Sequence, residues 1–166
     1  MSKAQIALLS ALALLLAAVI SLIAVVATRP APSAEFVPPP FEEEAQAGIP
    51  IGIPVTANYQ QLRVNDTFIA GMCGNLAVTD GSADIWLTAP ETNAVWIRVL
   101  LLDENGRELG STGLLKAGEY VRRIRLTEQP TETTTVTVTA KILSYQPETY
   151  YSMGSAVAKV QLNVSK

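Results

Sequence analysis

Few side chains in this sequence have a chemistry of their own. Cys73 is the only cysteine and sits in Gly71-Met72-Cys73-Gly74-Asn75. A reactive thiol needs a nearby cation or a helix N-terminus to lower its pKa, and no helix is expected around this stretch. The chain has no histidine, which removes Ser-His-Asp and Cys-His nucleophile pairs, histidine zinc sites and the usual pH switch. Cys73 therefore reads as a small semi-buried residue beside a turn, with pairing to another chain as the alternative. Two carboxylate pairs lie close in sequence, Asp80 with Asp84 and Asp103 with Glu104. Glycoside hydrolysis needs two carboxyls held across a cleft. Asp103-Glu104-Asn105-Gly106 instead has the composition of a hairpin turn. Residues 80–84 offer two carboxylates where a calcium loop needs several oxygen ligands. The run Glu42, Glu43 and Glu44 reads as a solvated, self-repelling stretch. No catalytic residue, cofactor or metal site is expected, and the chain does not read as an enzyme.

Recognition has better material. Arg122, Arg123 and Arg125 form the one local excess of basic charge. On a strand, Arg123 and Arg125 share a face. They suit a charged edge strand, which discourages aggregation, or a contact with an anionic envelope polymer or a partner's acidic patch. Tyr145, Tyr150 and Tyr151 flank Pro147 and suit either anchors that pack over a sheet end or contacts for sugars or proteins. Arg123, Arg125, Tyr145, Tyr150 and Tyr151 are thus the expected partner contacts. With 12 basic and 15 acidic residues the net charge is −3, which argues against nucleic acid as a partner.

The elements that must position these residues divide the 166 residues into three parts. Residues 4–27 carry no charge and are almost entirely Leu, Ala, Ile and Val. As a helix they reach roughly 36 Å, enough to cross a bilayer core of about 30 Å. Residues 1–27 read as an uncleaved signal anchor, a transmembrane helix. Cleavage of a secretory signal after Ala27, releasing the rest, is the alternative. The N-terminal tail is short and nearly everything that folds follows the helix, so the N-terminus is expected inside and the remainder outside the cytoplasm. Residues 28–47 hold five of the ten prolines and no glycine, and read as an extended stalk. All ten glycines follow, and residues 48–166 read as one extracytoplasmic domain.

That domain is patterned as strands. In 133–144, Val136, Val138, Ala140 and Ile142 alternate with Thr135, Thr137, Thr139 and Lys141, the period of a half-buried strand. Residues 156–164 repeat the alternation. Residues 94–102 are nearly continuous apolar and predict a central strand covered on both faces. Further strands are expected at 60–64, 68–70, 76–79, 83–88, 107–111 and 120–126. The fold class is mainly β, an N-terminal transmembrane helix followed by an antiparallel two-sheet β-sandwich, immunoglobulin-like or fibronectin-III-like in architecture.

Several turn and core signals go together: Ile53-Pro54, Tyr59-Gln60-Gln61-Leu62, Leu100-Leu101-Leu102-Asp103-Glu104-Asn105-Gly106, Ser111-Thr112-Gly113-Leu114-Leu115, Lys116-Ala117-Gly118 and Ile124-Arg125-Leu126. Met153-Gly154-Ser155-Ala156 before Val160-Gln161-Leu162-Asn163-Val164 completes them. The stretch 53–164 resembles small membrane-anchored β-sandwich proteins of Firmicutes. In that class the middle turn is usually SGLIxPG; here Thr112 and Leu115 intervene and Ala117 stands where proline is common. The resemblance implies the anchor and the fold and transfers no catalytic residue. The expected function is a non-enzymatic, membrane-tethered binding module of the cell envelope with a protein or cell-wall partner. A structural accessory subunit of a secretion, conjugation or surface-appendage assembly is the alternative.

Overall fold

The computed structural model describes residues 36–64, 66–127 and 134–164. The chain divides into two units, and the second, compact unit runs from Pro38 to Lys166. Among the described residues no helix is long and apolar enough to cross a membrane. The expected span at 4–27 lies outside the described residues.

The second unit is mainly β. Its strands are β1 (Gln46–Ala47), β2 (Tyr59–Val64), β3 (Phe68–Cys73), β4 (Asn75–Thr79), β5 (Ser82–Ala89), β6 (Trp96–Leu102), β7 (Glu108–Ser111), β8 (Glu119–Arg125), β9 (Thr134–Tyr145) and β10 (Ser152–Val164). One 3-10 turn at Val55–Ala57 precedes β2. The strands pair in the order β1-β8-β5-β4-β10-β9-β6-β7, with β3 also on β5 and β2 on β3. This path curls, because Gly110 of β7 bridges Leu126 just beyond β8. Inside the path, away from the two-residue β1 at its end, the sparsest join is β4 with β5, which share only the pairs Val78 with Ala83 and Thr79 with Ser82 around their hairpin. That hairpin turns at Asp80 and Gly81, both at positive φ, the geometry a two-residue primed turn demands and Asp-Gly supplies. Among the named strands one pair departs from the antiparallel expectation: β4 runs parallel to β10, with Leu76 opposite Leu162. Their connection passes through five intervening strands, so no tight turn restricts their relative direction.

The core is made by the alternation. Ile97, Val99 and Leu101 of β6, Val138, Ala140 and Ile142 of β9, and Val160 and Leu162 of β10 are buried. They meet Ile85 and Leu87 of β5 and Val121 and Ile124 of β8 in one cluster. Strand β6 is central, between β7 and β9, but it is not covered on both faces. Trp96, Arg98, Leu100 and Leu102 alternate with its buried residues and are only half-buried. The apolar run thus conceals a two-sided strand whose outer face carries leucines. Strand β5 breaks its period at a bulge between Asp84 and Leu87. Trp86 lies in that bulge at φ 51°, a conformation a bulky side chain adopts only when its surroundings hold it there. The bulge buries Ile85 and Trp86 in succession.

The expected boundary at 47/48 falls inside the compact unit. Leu114 N–H donates to the Pro40 carbonyl at 2.9 Å and Glu42 N–H to the Leu114 carbonyl at 3.0 Å. Glu42 is not a free stalk charge. Its carboxylate accepts the Gly113 N–H at 2.6 Å and the Glu44 N–H at 3.2 Å. The approach is so close that a Cβ at Gly113 would lie 2.5 Å from the Glu42 backbone nitrogen. β1 then pairs with β8 through Gln46 opposite Tyr120.

Candidate interaction site

The three arginines of the 122–125 cluster lie on β8 and are exposed. Register places Arg123 opposite Asp84 of β5. Arg123 Nε donates to Asp84 Oδ1 at 3.1 Å and Arg122 Nη2 to Asp84 Oδ2 at 3.2 Å. The Arg122 guanidinium also lies 5.1 Å from the centre of the Trp86 ring, which stacks on Tyr120 at 6.4 Å. Arg123 and Arg125 border a cleft of about 470 Å³ whose other side is formed by Glu42, Glu43 and Glu44. Two of the three basic charges therefore share a carboxylate, and the acidic segment faces the rest.

The tyrosines lie elsewhere. Tyr145 ends β9 opposite Trp96 of β6. Tyr150, at φ 58°, meets the Trp96 ring edge-on at 5.4 Å. Trp96 meets Phe41 edge-on at 4.8 Å, and the Lys116 ammonium sits 4.7 Å from the Phe41 ring centre. Tyr150 is thus an anchor in a row Lys116, Phe41, Trp96, Tyr150, whereas Tyr151 is 71% exposed. Among the described residues no hydrogen bond or ring contact joins this tyrosine group to Arg123 or Arg125.

Trp96 also heads the outer face of β6, β9 and β10. Register sets Arg98 beside Leu143, Leu100 beside Lys141 and Leu102 beside Thr139. On the far side Lys141 meets Val157 and Thr139 meets Lys159. Val157 is 64% exposed. Lys159 Nζ donates to the Thr139 hydroxyl at 2.8 Å. The ion pairs found among the described residues involve Asp103 and Asp84 and leave Arg98, Lys141 and Lys159 without a carboxylate. The Arg98 Nε is buried with no hydrogen-bond partner. This face therefore joins half-exposed leucines to unmatched cations, and it continues into the aromatic row.

The other chemistry-bearing groups are occupied. Asp103 Oδ1 accepts the backbone N–H groups of Asn105 and Arg107, both at 2.8 Å. Its Oδ2 accepts from Arg107 Nε at 3.2 Å. The Arg107 backbone N–H above all, with that of Asn105 and the Arg107 guanidinium, holds this carboxyl below its usual value against an opposing desolvation. Cys73 is fully buried. Burial, and secondarily the Asp84 charge, pushes its thiol from 9.0 up to about 11, so it is protonated and unreactive at neutral pH. Tyr59 is raised too, by burial first, although its hydroxyl is hydrogen-bonded to Thr88 at 3.0 Å.

Sequence reasoning passed over Phe41, Trp96, Arg98 and Lys141. Phe41 lay in the expected stalk, and nothing local joins it to Trp96. The outer row of β6 was visible as Trp96, Arg98, Leu100 and Leu102 at period two, the one signal that an apolar strand has an uncovered side. Comparison with models of known protein families and with curated protein sequences finds no match.

Proposed function

We propose that the chain is a non-enzymatic, membrane-tethered binding module of the cell envelope. The apolar span at 4–27 anchors it with the N-terminus inside, and the β domain lies outside the cytoplasm. The domain is read as an immunoglobulin-like sandwich. The two-pair join of β4 to β5 favours dividing the path into β2-β3-β5-β8-β1 and β4-β10-β9-β6-β7, with the core cluster between them. The likeness of its turn motifs to small membrane-anchored proteins of Firmicutes points the same way.

The observation that carries the reading is the outer face of β6, β9 and β10, where Leu100, Leu102, Leu143 and Val157 lie among cations that have no carboxylate. Proteins seldom leave a sheet face apolar without a partner for it, and unmatched cations within it select an acidic one. The contacts are then Tyr151, Val157, Lys141 and Arg98 more than Arg123 and Arg125, whose charge is largely answered within the domain. A photo-crosslinking side chain placed at Val157 of the full chain, in native membranes, tests this. A discrete protein adduct at Val157 that is absent with the same group at Arg125 is expected. Adducts at Arg125 alone move the site to β8, and none at either position removes the binding reading. Capture by the full chain but not by residues 38–166 favours an assembly subunit that also packs through its span.

A further inference from the structure

Residues 45–62 contain no charged side chain, and at their centre stand Gly-Ile-Pro-Ile-Gly-Ile-Pro-Val, residues 48–55. Ile53 packs against the core. Its neighbours do the opposite: Ile49 is 84%, Ile51 90% and Val55 98% exposed. This is a held segment rather than a loose one. Gly48 N–H donates to the Gly118 carbonyl at 2.8 Å and Ala57 N–H to the Pro54 carbonyl at 3.0 Å. Asn75 Nδ2 donates to the Thr56 carbonyl at 3.0 Å. Pro50 and Pro54 further restrict its backbone. Three branched aliphatic side chains are thus presented to water by a segment with no charge of its own, with their ordering cost already met by the fold.

We infer that residues 49–55 are a lipid-contacting loop that seats the domain on the membrane surface. The occupant follows from where the loop lies and what it lacks. Its Ile49, Ile51 and Val55 are the three most exposed large hydrophobic side chains among the described residues, and Phe36 and Val37, nearer the expected span, are exposed as well. Ten residues separate the end of the expected span at Ala27 from Pro38, where the second unit begins, so the tether is short. Such tethering turns docking into an intramolecular step with a high effective concentration, so a shallow contact is enough. An uncharged loop enters the headgroup boundary without desolvating an ion. Glu91 lines the same groove as Ile49 and Pro50, and the cost of desolvating its carboxylate limits entry to the side chains themselves. The inference rests on the anchored reading above and deepens it: the domain lies against the membrane, not at the end of a long stalk.

The test uses the full chain reconstituted into phosphatidylglycerol–phosphatidylethanolamine vesicles. An environment-sensitive fluorophore is attached at Ile51→Cys, with Glu104→Cys as the distant control; buried Cys73 does not compete for label. The expected result is a severalfold rise in emission at position 51, quenched by nitroxide-bearing lipid, with no change at position 104. Replacing Ile49 and Val55 by Asp in the labelled chain should abolish the rise, and circular dichroism checks that this variant keeps its strands. Water-like emission at position 51 overturns the inference, as does a rise that lipid nitroxide does not quench, which would mean burial against protein. Flotation of the vesicles after an alkaline wash reports the anchor separately. If the chain is stripped yet position 51 is still quenched on mixing with vesicles, the anchor reading fails and the loop's lipid contact stands.

Discussion

The domain carries basic residues on two regions, and they are built differently. On β8, Arg122 and Arg123 converge on one carboxylate, Asp84, and Arg125 borders a cleft shared with Glu42, Glu43 and Glu44. On the outer side of β6, β9 and β10, Arg98, Lys141 and Lys159 are spread among apolar residues and form no ion pair with a described carboxylate. The conspicuous cluster in the sequence is the one the fold neutralises. The scattered cations are the ones it leaves available. What decides the matter is strand register, since Asp84 is opposite Arg123 only because β5 and β8 pair as they do.

The largest effect expected separates the two sides of one strand. Leu101 of β6 is fully buried, and Leu100 beside it is half-buried on the outer face. Leu101→Ala should cost ~2–5 kcal/mol of stability in urea unfolding, the range for deleting a packed leucine. Leu100→Ala should cost ~1 kcal/mol or less. Equal losses would mean that the outer face is covered after all, and the contrast between the two regions would collapse.

Next is an alkaline loss that links the β8 region to the core. The Cys73 thiol lies near 11 in the fold against an ordinary 9.0. A raised folded pKa means that the folded state holds the proton more tightly. The stability this confers is complete below pH 9 and lost as pH rises from 9 to 11, at most ~2–3 kcal/mol. Tyr59, also raised, adds a loss of the same sign at higher pH. Cys73→Ala should flatten the pH 9–11 part of a urea-midpoint profile. Asp84→Asn, removing the minor cause, should shift it only slightly. An unchanged profile in Cys73→Ala would dissociate the thiol from the alkaline transition.

β9 was readable because Val138, Ala140 and Ile142 alternate with polar residues, and burial on one face requires that period. Trp86 was not, since a bulge inserts a residue that period-two reading cannot anticipate. Residues 40–47 read as stalk because their attachment is made by backbone groups, as in Glu42 with Leu114, and backbone bonding leaves no pattern of side-chain types. The arginine cluster was legible as composition. Its partner was not, because Asp84 and Arg123 meet only through register.

A smaller effect turns the balanced region into an unbalanced one. Asp84→Asn leaves Arg122 and Arg123 without their carboxylate. These are exposed pairs, so the loss should be ~1 kcal/mol or less and should shrink in high salt. The same change should raise retention of the protein on an anionic column. A variant that binds such a column no better would show that Asp84 does not hold the arginine charge in check.

The smallest stability effect belongs to the other region, and there its smallness is the point. Lys141 has Leu100 on one side and Val157 on the other, and no described carboxylate within ion-pair distance. Lys141→Glu removes no ion pair and opens no cavity, so unfolding should shift by no more than ~0.5 kcal/mol. If the face exists to meet an acidic partner, the reversed charge must repel it, and the Val157 crosslink should disappear from a protein that is otherwise unchanged. The conservative Lys141→Arg should retain the crosslink. A stability loss comparable to that of Leu101→Ala would instead mark Lys141 as part of the packing, and the two basic regions would then differ in composition but not in role.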